Sequence, residues 1–278
     1  MDSPLEGELD TNNIRFGPNE SKLIFTLEKD EKTLFTIKDA KEILGTSNKA
    51  VYRVLDRLKL KRRIKQIRGG LYLLSPARSG VEGAWTEHIF TILPKLLKDN
   101  YYVGFWSALS YWGMTEQIPQ TTYVVVVKRR RNLTFDDRMI QFVTYPDNRF
   151  FGYVQEKLGE TGFSISTREK TIVDSLTHPE LAGGISEVAK SIWTSRDEID
   201  INQLIDYARR MRVRAVCLRL GYILELLGFG KESYETLSPE KPTGAPWLDP
   251  SATKKQIRYS SRWGLRLNLP EKVILHWK

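Results

Sequence analysis

Apolar residues recur at helical spacing three times in the first part of the chain. Leu23, Ile24 and Leu27 share one face of a short helix beginning near Asn19. Ile37, Ala40, Ile43 and Leu44 mark a second helix. Thr36 can cap it, with Asp39 favourably placed in the first turn, and Gly45 is suited to end it. Thr46 or Ser47 then opens a third, whose stripe Val51, Val54, Leu55 and Leu58 follows the i, i+3, i+4, i+7 pattern. Residues 64–68 and 71–74 form two strands around Gly69-Gly70, a pair free to adopt a hairpin turn. Two helices joined by a glycine turn predict a helix-turn-helix, and the following hairpin makes it a winged helix.

Beyond this point the pattern is mixed. A helix is expected over 84–98 (Trp85, Ile89, Ile92, Leu93, Leu96) and a short one over 105–112. Residues 123–127 form a β-branched run expected as a buried strand, with further strands at 139–144, 150–155 and 163–165. Ser166-Thr167-Arg168-Glu169 predicts a capping box opening a helix to Thr177, with Pro179 just past its end. Helices follow at 185–193, at 201–211 behind an Asp200 cap, and at 213–227 before Gly228. Residues 229–250 connect to strands near 257–258 and 266–267. The expected fold class is α/β (α+β), an N-terminal winged helix-turn-helix followed by a mixed α/β domain. Its divisions are a flexible lead (1–18), the winged helix (19–80), the α/β domain (81–228) and a terminal extension packing on it (229–278). All seven tryptophans lie at or beyond Trp85, which supports a domain change near 75–83.

Charge gives this division a meaning. The chain carries 43 Lys/Arg against 34 Asp/Glu, a formal +9. Residues 36–78 alone hold twelve basic side chains and three acids, so the whole excess falls there. Such asymmetry favours an anionic partner, nucleic acid first. Opposite the apolar stripe of the third helix lie Asn48, Lys49, Tyr52, Arg53, Asp56 and Arg57. Arg and Lys can donate to guanine, Asn can pair with adenine, and Tyr can reach phosphate or a thymine methyl. Lys61, Arg62, Arg63 and Lys65 follow at the helix end and on the first wing strand, and Arg68 sits at the wing tip. With Ser47 at the helix start, these residues form the predicted interface with double-stranded DNA. An ordinary solvated face mixes signs, whereas this one is almost all positive.

Other chemistry is poorly represented. No run approaches the ~18–20 consecutive apolar residues of a membrane span. The acidic start, Met1 to Glu8, lacks the apolar core of a secretory signal, so a cytoplasmic protein is expected. One cysteine, Cys217, excludes an intramolecular disulfide and reads as a packing thiol. His88, His178 and His276 are scattered, so no metal site and no cofactor are expected. There is no phosphate-binding glycine loop, dinucleotide fingerprint, zinc-protease motif or nucleophile elbow. A nucleotidyltransferase would need a Gly-Ser pair followed by paired aspartates, and a nuclease an acid where Val126 precedes Lys128. The expectation is therefore a non-enzyme. Asp136-Asp137 reads as a loop or helix-start pair, and Lys128–Arg131 as a solvated strand exit offset by it. Tyr101, Tyr102, Phe105, Trp106, Tyr111 and Trp112 read as a packing surface.

Three segments carry a resemblance: Gly69-Gly70-Leu71-Tyr72-Leu73-Leu74, then residues 102–113 (YVGFWSALSYWG), then 165–176 (ISTREKTIVDSL) with His178-Pro179. Leu248-Asp249-Pro250 and Arg262-Trp263-Gly264-Leu265-Arg266-Leu267-Asn268 extend it. In this order and spacing they resemble the AbiEi family of antitoxins and transcriptional regulators of viral-defence, type IV toxin–antitoxin operons. The likeness covers most of the chain from about residue 20, while 1–18 do not align. It implies a winged helix that binds inverted repeats in its own promoter and represses the operon. It also implies a second domain that counteracts a nucleotidyltransferase toxin encoded next door, in the simplest case without a stable complex. Glu169 and Asp174 match family positions and are assigned to capping and packing. Two rivals remain: a stand-alone regulator with a ligand-sensing or dimerising domain, and a nuclease or nucleotide-modifying enzyme.

Overall fold

The computed structural model describes residues 15–75, 88–97, 99–135, 138–238 and 244–278. They divide into two compact units, one drawn from Met1–Lys95 and Leu133–Asp137, the other from Leu96–Asn132 and Arg138–Lys278. Trp85, Arg78, Asp136 and Asp137, and the predicted helix start at 84–87, lie outside the described residues.

The first unit runs α1 (Pro18–Lys29), β1 (Leu34–Thr36), α2 (Ile37–Leu44), α3 (Asn48–Leu60), β2 (Ile64–Arg68) and β3 (Leu71–Leu74), with α4 (Ile89–Leu96) after it. Thr36 caps α2 by accepting from the Asp39 N–H at 3.2 Å, and Asp39 accepts from the Thr36 N–H at 2.6 Å. Gly45 ends the helix at φ 65°, ψ 30°, a left-handed conformation that glycine adopts without steric cost. Ser47 then caps α3, accepting from the Ala50 N–H at 3.4 Å. Val51, Val54, Leu55 and Leu58 are buried against Leu23, Ile24 and Leu27 of α1 and against Phe35, Ile64 and Tyr72. Each buried Leu or Val side chain contributes about 1.5–3 kcal/mol, so this stripe orients α3. The strands form an antiparallel sheet in the order β1-β3-β2, the hairpin register shifting between Gln66 and Arg68. Strand β1 has no counterpart in the periodicity, because three residues are too few to show alternation. Residues 15–18 depart from the expected free lead: Pro18 starts α1, and Lys61 donates to the Arg15 carbonyl at 2.6 Å.

The second unit holds β4 (Tyr101–Val103), α5 (Phe105–Tyr111), β5 (Thr121–Val126), β7 (Arg138–Thr144), β8 (Tyr153–Leu158) and β9 (Thr161–Ser166). The short strand β6 (Leu133–Phe135) is counted with the first unit. Strands β7-β5-β4-β9-β8 lie side by side, β5 parallel to β7 and β4 parallel to β9, with antiparallel β4–β5 and β8–β9 pairs. The result is a mixed sheet in an α/β fold, as expected. The strand expected at 150–155 instead begins at Tyr153, because the 3-10 turn Asp147–Arg149 precedes it and Tyr153 pairs with Ser166.

Helices α6 (Arg168–Thr177), α7 (Gly184–Thr194), α8 (Ile201–Arg210) and α9 (Arg214–Leu227) follow, then β10 (Arg258–Ser260), β11 (Leu265–Leu267) and α10 (Glu271–Ile274). The predicted capping box at 166–169 does not form. Ser166 belongs to β9, so Thr167 becomes the cap and accepts from the Lys170 N–H at 3.3 Å. Glu169 is buried and accepts from the Asp200 N–H at 3.1 Å, while Asp200 caps α8 as expected.

Lys170 and Asp174, one turn apart on α6, are fully buried and in direct contact. Lys170 donates to the Tyr102 hydroxyl, and that hydroxyl donates to Asp174, each at 3.0 Å. The rings of Tyr145 and Phe151 lie 5.1 and 4.9 Å from the ammonium. Burial pushes the Asp174 carboxyl up and the Lys170 ammonium down, each towards its neutral form, and the pairing offsets only part of this. Further along, Trp263 is fully buried with its indole over Gly221 of α9, where a Cβ would lie 2.1 Å from the ring. The indole N–H donates to Glu225 at 2.5 Å. Residues of 229–278 therefore contribute to the core of this unit.

Two consequences are measurable by urea unfolding. Lys170→Met or Asp174→Leu alone should cost about 3–5 kcal/mol by leaving a lone buried charge, and the double substitution should be more stable than either. Simple addition of the two losses would contradict this account. Gly221→Ala should destabilise by about 1–3 kcal/mol through the displaced indole, despite alanine's better helix propensity. A stability equal to or above the parent's would show that Trp263 can move at no cost.

Candidate nucleic-acid interface

The turn before α3, α3 itself, the segment after it and the β2–β3 hairpin carry the predicted DNA-binding residues. Their anchoring is local. The Ile37 N–H at the start of α2 donates to the Gly70 carbonyl at 3.1 Å, and Gly70 has φ 77°, which ties the hairpin turn to α2. The buried stripe of α3 leaves Asn48, Lys49, Tyr52, Arg53, Asp56 and Arg57 on its exposed side. Asn48 and Tyr52, and likewise Lys49 and Arg53, are four residues apart and so share a helix face. Tyr52 is 47% exposed. Ser47 is exposed, and its hydroxyl is committed to the cap.

The remaining cations are sorted by a residue that the sequence reading did not single out. Glu20 of α1 is 1% exposed, and it accepts from Arg57 Nε and from Lys61 Nζ, each at 2.5 Å. The Gly17 N–H donates to the same carboxylate at 3.0 Å. Burial pushes the Glu20 carboxyl up, but hydrogen bonds from Lys61, Arg57 and Gly17 outweigh it and hold the group below its ordinary value. Arg57 and Lys61 thus brace α1 against α3. Arg63 was expected at the phosphates, yet it is 6% exposed, 3.6 Å from Glu28 and 6.0 Å from the Phe16 ring. Its place is corrected to the interior: the chain turns at Arg62, whose φ is 52°, and the next side chain is carried inward.

Asp56, the acid of the exposed face, pairs with Lys59 at 2.8 Å. Lys49, Arg53, Arg62 and Arg68 are exposed and form no ion pair among the described residues. Lys65 is half-buried on β2. The structure therefore brings Asn48, Lys49, Tyr52 and Arg53 together on the first turns of α3, with Arg68 at the hairpin; it ties Lys61 and the still half-exposed Arg57 to Glu20 and takes Arg63 into the interior. Glu20 had one signal in the sequence, an acid in the first turn after Pro18, but its partners lie on another helix.

In the second unit the polar residues of α6 and the aromatic run are enclosed. Glu169, Lys170 and Asp174 are buried and paired. Cys217 is half-buried, and burial pushes its thiol up, away from the reactive thiolate. Tyr101, Tyr102 and Phe105 are buried, and Trp112 donates to the Ser166 carbonyl at 2.8 Å, so the aromatic run packs as expected. Among the described residues no group of three or more His, Cys, Asp or Glu could hold a metal ion, and no helix is long and apolar enough to cross a membrane.

No protein-family model and no curated protein sequence matches this chain. Among solved structures, it is similar to the crystal structure of the RV2827C protein from Mycobacterium tuberculosis, with a TM-score of 0.71 and 14% sequence identity. The match covers 95% of this chain and 96% of that one, and at this identity it concerns the fold.

A carboxylate held low in the folded state contributes stability that is present above its unfolded pKa of about 4.3 and is lost as the pH falls through the folded value. Glu20→Gln should therefore cost the first unit about 1–3 kcal/mol near neutral pH. Its deficit against the parent should shrink below about pH 4, as the parent's own carboxylate protonates. Thermal unfolding at both pH values checks this, and a deficit independent of pH would remove the ion pairs from the explanation.

Proposed function

We propose that this protein is a cytoplasmic, sequence-selective DNA-binding autorepressor, and that its second unit acts as an antitoxin against a nucleotidyltransferase toxin. Three helices followed by a hairpin, with a third strand beside it, have the order of a winged helix. In such a domain the helix after the turn enters the major groove and its first turns face the base edges. The observation that carries the reading is the exposed set Asn48, Lys49, Tyr52 and Arg53 on those turns, its cations free of ion pairs among the described residues. Arg62 and Arg68 supply phosphate or minor-groove contacts beside it. The antitoxin half rests on the resemblance of residues 102–113, 165–176 and 262–268 to the AbiEi family. The reading assigns no reaction to this unit, in keeping with the burial of Glu169 and Asp174.

Arg53→Ala and Lys49→Ala should each weaken binding to duplex DNA from the promoter of its own operon by about 1–3 kcal/mol, measured by fluorescence anisotropy. Unchanged affinity in both would take α3 out of the interface. For the antitoxin half, a nucleotidyltransferase gene should adjoin this one, and co-expression of the full chain should restore growth to cells producing that toxin. Absence of such a gene, or of rescue, would overturn that half and leave the repressor.

A further inference from the structure

A second cluster of positive charge lies at the exit of β5, where Lys128, Arg129, Arg130 and Arg131 follow one another. This turn is fixed at two points. The Arg130 guanidinium donates to Asp99 at 2.7 Å, and Asn132 Oδ1 accepts from the Phe142 N–H of β7 at 3.1 Å. Beside those anchors Lys128, Arg129 and Arg131 are exposed and form no ion pair among the described residues. Asp136 and Asp137, which the sequence suggested as their counter-charges, lie outside those residues. Arg129, Arg130, Arg131 and Asn132 line a hollow of about 610 Å³. Its lining is more polar than apolar, with three arginines, of which Arg130 is paired with Asp99, and an amide whose oxygen is already engaged.

We propose that the Lys128–Asn132 turn is a phosphate-binding site of the second unit, taking the phosphodiester backbone of a nucleic acid. It shares with the DNA-binding reading the class of partner, but none of its residues. Planar guanidinium groups match phosphate oxygens in two-point hydrogen bonds, whereas a lone ammonium acts only as a point charge. Successive cations on one turn suit a strand on which phosphates recur. Four cations stand at the low end of the basic clusters that hold a protein to an anionic lipid surface. Pinning by Asp99 and Phe142 means that little order has to be gained on binding. A site that engages backbone phosphates and not base edges is tolerant of sequence.

The test uses the full chain carrying Arg129→Ala and Arg131→Ala together, with fluorescently labelled random-sequence duplex DNA, single-stranded RNA and phosphatidylserine vesicles as probes. Both side chains are exposed, so the melting temperature should be unchanged. On duplex DNA the plot of log affinity against log salt should become shallower by about 2, the effect of two lost phosphate contacts. The loss should be equal on promoter and random sequence. A corresponding loss on RNA and not on DNA would identify RNA as the source of the phosphodiester. Unchanged affinity and slope on both nucleic acids, or a loss confined to vesicles, would overturn the proposal. Lys49→Ala with Arg53→Ala separates the two readings. If that pair is silent while the arginine pair weakens binding, the α3 reading falls and this site stands; the reverse outcome removes this site alone.

Discussion

A carboxylate taken out of water needs a counter-charge within reach, and in the first unit Glu20 takes two. That requirement orders the whole basic region. Arg57 and Lys61 look in the sequence like further members of one positive face, but they join two helices and their charge is partly answered from within. Arg63 is drawn to the interior near Glu28 and Phe16. Of the predicted interface cations, those exposed and without an ion pair among the described residues lie at the start of α3, at Arg62 and at the hairpin tip. A net charge concentrated in one segment is thus a measure of two different things, internal bracing and external attraction, and only the pairing distances separate them.

The second unit follows a different logic. Its helix α6 carries a lysine and an aspartate into the core, where Tyr102 bridges them and aromatic rings surround the ammonium. Removing two charges from water is costly, and the compensation lies in the closeness of the pair and in the hydroxyl that satisfies both. The same enclosure keeps solvent and substrates from these groups. Polar residues grouped in one sequence segment can therefore mark a core network as readily as a reaction centre.

Much of this architecture is legible in local chemistry. Thr36, Asp39 and Gly45 bound α2, Asp200 opens α8 and Gly228 closes α9, because caps and left-handed ends involve residues a few positions apart. Strands β1 and β4 escape notice because three residues carry too little periodicity. The cap of α6 moves from Ser166 to Thr167 because sheet pairing, a long-range interaction, claims Ser166 first. Within the candidate interface, the exposed side of α3 follows directly from its apolar stripe. The diversion of Arg57 and Lys61 does not, since Glu20 lies 37 and 41 residues away and no spacing rule links them.

The notch at Gly221 also says something about the order in which the chain becomes a protein. Synthesis runs from the N-terminus, and α1, α2, α3 and the hairpin, all within residues 15–75, emerge early with their own core. In the second unit the indole that fills the face of α9 comes from Trp263, late in the sequence. The order of the chain thus places every element of the basic module's core ahead of the side chain that completes its companion.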